Sequence, residues 1–521
     1  MAYPFNTLYE IAQQQAKKRG GKTALFVDET KIRYRDILQK ADALAGVLAK
    51  KGVKQGDRVA LFLRNSPEFV YAIFAVSKLG AILVPVNTFL KADELSYILE
   101  DSGASVLIAS AIHAKVVNAS NASQVCGSIF WEGEAKTVSE NDIGFDAVWN
   151  ENAQAPNVKG TLDDTAVLIY TSGTTGKPKG AMLSNRNILS NADSGRQTIR
   201  VTHRDRVIVF LPMFHSFTFS IGVILPLYVG ASIVIIKSIQ PFSNIFKQTL
   251  MKRVTIFFGV PDVYNALARA KLPWYFMWFN RIRAFISGAA PLQPKTLDAM
   301  AQKFKRATLL EGYGLSEASP AVCINTFEKQ KAGSVGTALP GYEMKIVDEN
   351  MNELPHGEIG DIIVRGENVM QGYWKRPEAT AETIVNGWLL TGDMGYMDED
   401  GFLFIVDRKK DLIISKGINI YPREIEDAID GHPHVKASAV VGIVDEKSGE
   451  IPVAYVELEE EVETLDEAGL KKHLRSQLAN FKLPKQIHVI EELPKNATGK
   501  VLKRVLKEQL AKSEVTDQST D

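Results

Sequence analysis

The chain has 521 residues, and its 61 basic and 61 acidic side chains cancel at neutral pH. This length exceeds what one hydrophobic core supports, so we expect two or more domains. The balanced charge argues against nucleic-acid binding, and the only cysteines, Cys126 and Cys323, exclude a disulfide framework. The first residues lack a basic segment followed by an apolar one, so we predict no signal peptide and expect a cytoplasmic protein.

Short apolar segments alternate with helical patterns through the first three hundred or so residues. The apolar segments begin at Arg58, Ala81, Val106 and Thr255. Such alternation is typical of an α/β architecture with parallel sheets. We therefore predict a large N-terminal domain with two α/β subdomains and sheets that are rich in parallel strands.

The most informative segment follows the apolar stretch Thr165–Tyr170, which we predict to be a buried strand. Residues 171–177 read Thr-Ser-Gly-Thr-Thr-Gly-Lys. Backbone N–H groups, hydroxyl donors and an ammonium group in one loop suit a polyphosphate, and glycine permits its close approach. The loop is not a Walker P-loop, because Pro178 stands where that pattern has serine or threonine.

Residues 207–236 contain no Asp, Glu, Lys or Arg, and a segment of this length can span a bilayer. Two prolines and two glycines interrupt it, however. The pattern instead predicts two buried parallel strands, at Val207–Phe210 and Ser232–Ile236, with a short helix between them. We therefore predict no transmembrane segment.

Two later motifs carry carboxylates in glycine-rich surroundings. Residues 311–320 read Glu-Gly-Tyr-Gly-Leu-Ser-Glu-Ala-Ser-Pro, in which Glu317 offers a hard oxygen ligand suited to Mg²⁺. The glycines around Tyr313 leave room for a planar ligand. Residues 387–393 read Gly-Trp-Leu-Leu-Thr-Gly-Asp. They predict a tight turn in which Asp393 accepts hydrogen bonds from two vicinal hydroxyls, such as those of a ribose.

The pattern changes again toward the C-terminus. Short β segments between Gly333 and Val406 predict a small, mostly antiparallel and β-barrel-like subdomain. The charged segment Asp407–Asp411 separates it from a compact α+β unit. We predict an N-terminal domain over 1–408, a C-terminal domain over 409–512 and a disordered tail over 513–521.

These motifs, with the segment Pro494–Lys500, follow one another in the order found in the AMP-forming adenylating superfamily. The chain resembles acyl-CoA synthetases over nearly its whole length, and most of all the bacterial medium- and long-chain fatty acid–CoA ligases. The resemblance implies activation of a carboxylic acid to acyl-AMP with release of pyrophosphate, followed by transfer to CoA. It implies ATP, Mg²⁺ and coenzyme A as cofactors, and a mobile C-terminal domain.

The resemblance also implies a role for individual residues. The loop would hold the ATP phosphates through Thr171, Ser172, Gly173, Thr174, Thr175, Gly176 and Lys177. Other nucleotide contacts would be Gly288, Ala289, Ala290, Glu311, Gly312, Tyr313, Gly314, Asp393 and Arg408. The catalytic residues would be Lys500, Glu317, Ser316 and the hinge residue Lys410. Glu317 and Thr171 would bind Mg²⁺. Gly417 would approach the CoA arm, and Phe214 and His215 would line the acyl site, although Lys416 and Ile418 replace the residues common there.

The charge-free segment 207–236 corresponds to the region that lines the acyl pocket in the family. An amino-acid substrate would need a carboxylate there to pair with its ammonium group, so we predict a medium- or long-chain fatty acid. Other acyl- or aryl-CoA ligases, a luciferase-like oxygenase, an adenylation enzyme that loads a carrier protein, and a nucleotide-binding sensor remain alternatives. The aromatic segment Lys271–Asn280 leaves core packing, a homodimer contact and peripheral membrane contact open.

Overall fold

The structure is a computed structural model. It describes residues 3–134, 142–156, 158–171, 177–238, 241–290, 292–416, 418–445, 448–459, 462–495 and 499–517, the last seven by their backbone only. The predicted site residues Ser172, Gly173, Thr174, Thr175, Gly176 and Gly417 lie outside the described residues.

The helices occur throughout the chain. In chain order they are α1 Leu8–Arg19, α2 Tyr34–Lys50, α3 Pro67–Lys78, α4 Ala92–Ser102, α5 Ala114–Ala119, α6 Ala122–Val125, α7 Phe145–Asn150, α8 Asn185–Ile199, α9 Leu225–Val229, α10 Ser243–Met251, α11 Pro261–Arg269, α12 Trp274–Phe279, α13 Pro294–Lys303, α14 Pro377–Thr383, α15 Pro422–Asp430, α16 Glu467–Gln477 and α17 Lys503–Asp517. The last helix covers the first residues of the predicted tail. A π-helix, Thr218–Ile224, leads directly into α9.

The strands form four sheets. In chain order they are β1 Thr23–Val27, β2 Thr30–Arg33, β3 Arg58–Phe62, β4 Ile82–Pro85, β5 Ala104–Ser110, β6 Ser128–Glu132, β7 Asp142–Gly144, β8 Thr165–Thr171, β9 Lys179–Ser184, β10 Arg206–Val209, β11 Ser232–Ile235, β12 Ile256–Gly259, β13 Ala284–Ser287, β14 Thr308–Gly314, β15 Ala321–Ile324, β16 Thr337–Ala338, β17 Tyr342–Val347, β18 Gly360–Gly366, β19 Gly372–Tyr373, β20 Ile384–Val385, β21 Trp388–Met397, β22 Leu403–Arg408, β23 Ile413–Ser415, β24 Ile418–Ile420, β25 Val435–Asp445, β26 Gly449–Leu458 and β27 Gln486–Val489.

The chain divides into two compact units. Unit 1 consists of Met1–Met344 and Val364–Leu389, and unit 2 of Lys345–Ile363 and Leu390–Asp521. Unit 1 contains a nine-stranded sheet in the order β16-β15-β14-β13-β12-β10-β11-β1-β2 and an eight-stranded sheet in the order β19-β9-β8-β4-β3-β5-β6-β7. Most neighbours in both sheets are parallel, which confirms the predicted α/β class.

The charge-free segment folds as predicted. Strands β10 and β11 pair in parallel, with Val207 opposite Ile233 and Val209 opposite Ile235, and all four side chains are buried. Because both faces of these strands are covered by protein, continuous Val and Ile are favourable there. None of the described helices is long and apolar enough to cross a membrane.

The C-terminal part of unit 2 has the α+β character that the sequence predicts for the smaller domain. Its antiparallel strands β23 to β26 and the parallel neighbour β27 form one sheet, against which α15 and α16 bury Ile425, Ile429, Leu470 and Leu474. The carboxylate of Asp407, near the end of β22, accepts a 2.8 Å hydrogen bond from the backbone N–H of Arg423 in the first turn of α15. This bond satisfies a donor that the helix itself leaves open.

Candidate functional site

Glu317 lies in a short 3₁₀ turn, Ser316–Ala318, that follows β14. Its Oε1 accepts hydrogen bonds from Thr171 Oγ1 at 3.2 Å and from the Tyr373 hydroxyl at 3.0 Å. Its backbone carbonyl accepts a 2.8 Å bond from the N–H of Met370. The end of β8 and the turn after β14 therefore meet, so that the two predicted metal-binding residues are neighbours.

The residues around Glu317 fit a magnesium ion that also uses substrate oxygens. Within the ranges that the structure describes, no three His, Cys, Asp or Glu side chains are arranged to hold a metal by themselves. Mg²⁺ commonly takes only one or two carboxylates from the protein and completes its shell with water and phosphate oxygens. Glu317, with the Thr171 hydroxyl beside it, offers such a partial set.

The glycines of the Glu-Gly-Tyr-Gly segment have a structural reason that the sequence analysis did not name. They lie on β14, which pairs with the antiparallel strand β15. A Cβ at Gly314 would lie 2.0 Å from the carbonyl oxygen of Pro320, and one at Gly312 would lie 3.0 Å from that of Cys323. Close approach of β15 therefore requires glycine at position 314 in particular.

The small-residue segment after β13 lies beside this motif. Ser287, the last residue of β13, is paired in parallel with Glu311 on β14, so the loop starting at Gly288 leaves the same edge of the sheet. A Cβ at Gly288 would lie 3.6 Å from the carbonyl oxygen of Gly312. Ala289 has a φ of 71°, a left-handed conformation that is costly for a residue with a Cβ. The structure thus brings Gly288 next to Gly312.

Ser316 and the predicted acyl-site residues are linked through Ser216. The hydroxyl oxygens of Ser216 and Ser316 lie 2.9 Å apart. The neighbouring His215 is half-buried, and its Nδ1 accepts a 3.3 Å bond from the backbone N–H of Phe217. Burial lowers the pKa of His215 to about 4, so its imidazole is neutral at pH 7. Phe214 is buried and packs edge-on to Phe89 at 6.3 Å.

Thr171 and Lys177 flank the predicted phosphate loop. Strands β8 and β9 pair in antiparallel fashion up to Thr171 opposite Lys179, so the loop is the connection of a hairpin. The ammonium group of Lys177 lies over the ring of Tyr97, 5.0 Å from its centre. The hydroxyl group of Tyr97 also donates a 3.0 Å hydrogen bond to the carbonyl oxygen of Pro178. Both ends of the loop are therefore fixed by protein contacts.

In unit 2, Asp393 lies within strand β21, not in the tight turn that the sequence analysis predicted. Its partner across the ladder is Arg408 on β22. Gly392 has a φ of 74°, a left-handed conformation that is common in turns. The strand pairing nevertheless continues past it. The Arg408 Nε lies 3.2 Å from Asp393 Oδ1, and the Asp393 side chain is buried. The pair predicted to hold a ribose is thus present and oriented by the hairpin.

Lys500 lies close enough to Asp393 and Arg408 for their charges to affect its pKa. Burial lowers the pKa of Lys500 to about 8, and the positive charges of Arg408 and Lys410 act in the same direction. The carboxylates of Asp393 and Asp411 oppose this shift. Lys410 itself lies in a short 3₁₀ turn, Lys409–Asp411, and burial lowers its pKa as well. Three cations and two carboxylates therefore lie close together in unit 2, and the one net positive charge favours binding of an anion.

Tyr373 and Ser216 are functional candidates that the sequence analysis missed. Tyr373 is 56 residues from Glu317 and follows no recognisable local pattern. Burial, together with the nearby Glu317 carboxylate, raises the pKa of the Tyr373 hydroxyl, so it stays protonated and donates to the carboxylate. Ser216 stands next to the predicted His215 in the chain, and that adjacency was the only available signal.

Two family models match the chain. The model for AMP-binding enzymes covers residues 12–374, and the model for the C-terminal domain of AMP-binding enzymes covers residues 424–500. A long-chain-fatty-acid–CoA ligase of Escherichia coli is 34% identical over 97% of this chain and 95% of its own length. A feruloyl-CoA synthase of an Amycolatopsis species is 35% identical over 94% of this chain and 96% of its own length.

A solved structure is similar throughout. The anthranilate CoA ligase AuaEII, in complex with anthranoyl-AMP, matches with a TM-score of 0.90 and 28% identity over 98% of this chain and 99% of that chain. Three kinds of finding indicate the same family. They are the sequence motifs, the two family models and the relatives that match over nearly the full length. The chain therefore belongs to the AMP-binding enzymes, as an adenylate-forming acyl-CoA synthetase.

Proposed function

We propose that this CoA ligase activates a medium- or long-chain fatty acid. The observation that carries the proposal is the buried segment 207–236, which contains no ionised side chain and which includes the candidate acyl-site residues. An apolar acyl chain loses nothing by desolvation there, whereas an unpaired ammonium or second carboxylate would cost several kcal/mol. The proposed substrates are the acid, ATP and CoA, and the proposed location is the cytoplasm.

Aromatic rings make this region apolar. Phe217 packs edge-on to Phe258 with ring centres 5.5 Å apart, and Phe210 stacks on Phe258 at 6.5 Å. Gly222 of the π-helix lies so close that a Cβ there would be 2.4 Å from the Phe258 ring. With His215 neutral, the segment 207–236 carries no charge that would pair with a polar substrate tail.

In the proposed adenylation step, the carboxylate of the acid attacks the α-phosphorus of ATP, and pyrophosphate leaves. Lys500 would donate hydrogen bonds to the developing negative charge, and Asp393 with Arg408 would hold the ribose. Mg²⁺, bound through Glu317 and Thr171, would offset the charge of the triphosphate. In the second step the CoA thiol attacks the acyl carbonyl and AMP leaves. We propose that the C-terminal domain, over 409–512, turns about Lys410 between the steps.

A panel of acids tests the substrate. Purified protein with ATP and CoA should release pyrophosphate fastest with saturated acids between C6 and C18, because each buried methylene adds roughly 0.8 kcal/mol of binding. The measurement is kcat/KM for each acid, with acetate, malonate and an amino acid as controls. A preference for acetate or for any charged acid would contradict the proposal.

An aryl acid is the second candidate. The ring cluster Phe210, Phe217 and Phe258 favours it, since aromatic pairs gain about 0.5–1.5 kcal/mol beyond simple burial. Among the relatives, one is named a feruloyl-CoA synthase. Ferulate and anthranilate therefore belong in the same panel, and a higher kcat/KM for either than for every fatty acid would select this alternative.

The adenylation step should lose activity above pH 8. Lys500 acts as a cation, and its pKa of about 8 means that it is charged below this pH and neutral above it. We expect kcat/KM for ATP, measured by acid-dependent pyrophosphate release, to fall on the alkaline side with an apparent pKa near 8. Bound ATP adds negative charge and raises the lysine pKa, so the fall in kcat should occur at higher pH.

The matched variant for this profile is Lys500→Arg, because a guanidinium stays protonated throughout the range in which proteins are stable. Its activity will be lower, since its geometry differs, but its kcat/KM should not decline near pH 8. If the variant keeps the same alkaline decline as the unchanged protein, another group is responsible. Circular dichroism at each pH excludes unfolding as the cause.

A further inference from the structure

Helix α17 begins three residues after Lys500, and its first residue forms a largely buried ion pair. The ammonium nitrogen of Lys503 lies 2.8 Å from Glu426 Oε1 on α15, and each side chain is only 17% exposed. The same carboxylate oxygen accepts a 2.7 Å hydrogen bond from the backbone N–H of Val440 on β25. The proposed reaction uses neither side chain directly, although both belong to the domain that carries Lys500.

A buried ion pair fixes a geometry more than it adds stability. Two charges lose about as much free energy on leaving water as their attraction returns, so a neutral pair of similar size often stabilises a fold equally well. An ammonium group on a carboxylate oxygen, however, sets the distance and direction between two elements. Burial would lower the pKa of Lys503, but the carboxylates of Glu426 and Asp407 outweigh burial and raise it, so the lysine stays charged. The pair therefore sets where α17 starts relative to α15.

The backbone of Lys500 is joined to this start by paired residues. Lys495 and Val501 form an antiparallel bridge, and the N–H of Leu502 donates a 2.7 Å bond to the carbonyl oxygen of Pro494. Only Val501 and Leu502 separate Lys500 from the first residue of α17, and both take part in this pairing. A shift of the first turn of α17 therefore shifts Lys500 as well.

Further along α17, apolar contacts hold the helix against the sheet of unit 2. Leu506 and Leu510 are buried in a cluster with Val441 and Tyr455. The Tyr455 hydroxyl also donates a 3.2 Å bond to the carbonyl oxygen of Leu506. These contacts keep the helix attached when the ion pair is lost. They lie one and two turns beyond Lys503, so the first turn depends on the pair.

Helix α15 is joined in turn to the strand that carries Arg408. The backbone N–H of Arg423, in the first turn of α15, donates a 2.8 Å bond to the carboxylate of Asp407 on β22. The next residue on that strand is Arg408, which the proposed mechanism places at the ribose. A continuous series of contacts thus runs from β22 through α15 and Glu426 to the start of α17, and from there along the backbone to Lys500.

We propose that Lys503 and Glu426 are positioning residues for adenylation, because their ion pair fixes the start of α17 so that Lys500 stays close to Arg408. The proposal rests on the proposed function, in which the ammonium group of Lys500 offsets the charge of two approaching anions. Both partners lie in the C-terminal domain, so the pair does not depend on how that domain turns. It serves only the step that uses Lys500, and thioester formation is independent of it.

The experiment replaces Lys503 in the full chain. In Lys503→Met the charge is lost and the length of the side chain is retained. Acid-dependent pyrophosphate release should fall by about 10- to 100-fold, because a small misplacement of a catalytic group has an effect of this size. Acyl-CoA formation from synthetic acyl-AMP should be nearly unchanged. Lys503→Arg keeps a charged donor for Glu426 and should restore most of the rate. Equal losses in both half-reactions would mean that the pair only supports the fold, and would overturn the proposal.

Lys482→Met is the matched control. Lys482 lies 2.6 Å from Glu424, which is on the same helix α15 as Glu426, and this pair is more exposed to solvent. Its loss removes an ion pair from α15 without removing the one to α17. Both half-reactions should stay at the level of the unchanged protein. If Lys482→Met slows adenylation as much as Lys503→Met does, any weakening of α15 suffices and the specific role of the pair is refuted.

The pH profile provides a readout that a loss of folding would not move. Burial is the main reason why the pKa of Lys500 is about 8, and Arg408, Lys410, Asp393 and Asp411 are the charged groups that act on it. A Lys500 that is displaced into water regains a higher pKa, so the alkaline decline of kcat/KM for ATP should move to higher pH in Lys503→Met. The rate of amine labelling at Lys500, followed by mass spectrometry, gives the same pKa without turnover.

Glu426→Gln separates displacement from a direct effect of charge. Loss of a nearby negative charge would by itself lower the pKa of Lys500, whereas displacement into water raises it. We expect the raised pKa and slower adenylation. A pKa of Lys500 that stays near 8 or falls would contradict the proposal.

Failure of the proposed function gives a different result. If Lys500→Ala leaves acyl-adenylate formation intact, the proposed role of Lys500 is wrong. If Lys500→Ala loses adenylation and Lys503→Met does not, only the positioning role of the pair is wrong. Thermal melting shows whether each variant is folded. Should Lys503→Met unfold, Glu426→Gln decides, because its amide oxygen still accepts a hydrogen bond from Lys503.

Discussion

Replacing Lys500 by alanine is expected to lower acyl-adenylate formation by about 100- to 1,000-fold and to leave thioester formation from supplied acyl-AMP nearly unchanged. The reason is electrostatic. Two anions must meet in the first step, and in the proposed mechanism the ammonium group of Lys500, which lies near Arg408, Lys410 and Asp393, offsets their charge. The second step begins from acyl-AMP, so it does not require two anions to approach each other. Pyrophosphate release measures the first step, and acyl-CoA formed from synthetic acyl-AMP measures the second.

Arg504→Ala is the matched control for this experiment. Arg504 is exposed and pairs with Glu508 at 2.8 Å, one helical turn away, so its loss removes a cation from the same segment without touching the cluster. Both half-reactions should stay at the level of the unchanged protein. Equal losses in both half-reactions for the alanine variant at position 500 would refute the separate role of Lys500.

The second large effect is expected at Glu317. Glu317→Gln should slow adenylation by about 100-fold and raise the Mg²⁺ concentration needed for half-maximal rate. The amide oxygen of glutamine still accepts the bonds from Thr171 and Tyr373, so the local fold should persist while the negative charge is lost. ATP binding measured by calorimetry with and without Mg²⁺ provides a readout that does not depend on turnover.

Tyr373→Phe is the control for the charge at position 317. It removes one hydrogen bond to Glu317 and keeps the carboxylate, so its effect on the Mg²⁺ requirement should be much smaller. If Glu317→Gln binds ATP with the same Mg²⁺ dependence as the unchanged protein, the metal is held elsewhere. Thermal melting of both variants excludes a general loss of stability.

Most of the architecture of unit 1 could be predicted from the sequence. Buried parallel strands require apolar residues on both faces, so segments such as Val207–Phe210 and Ser232–Ile236 are visible as uninterrupted runs. The position of Asp393 differs from the prediction. Glycine before an aspartate is typical of a turn, but the neighbouring strand β22 supplies hydrogen bonds that extend β21 through that position.

The candidate site was only partly predictable. Five of its residues belong to motifs of consecutive residues, which can be recognised in the sequence alone: Glu317, Thr171, Asp393, Arg408 and Lys500. The candidates Tyr373 and Ser216 are identified only by their contacts with residues far away in the chain, at separations of 56 and 100 residues. No short pattern encodes such contacts, because they depend on how the sheets pack.

The sequence by itself determined the α/β class, the order of the motifs and therefore the chemistry, since hydrophobic periodicity and a glycine–threonine loop are written in consecutive residues. Tertiary structure alone decided three further matters. It placed Tyr373 and Thr171 on one carboxylate oxygen, lowered the pKa values of His215 and Lys500 through burial, and left the rings of Trp274, Trp278 and Phe279 exposed. Each depends on solvent exposure and on neighbours from distant segments, which are properties of the folded chain.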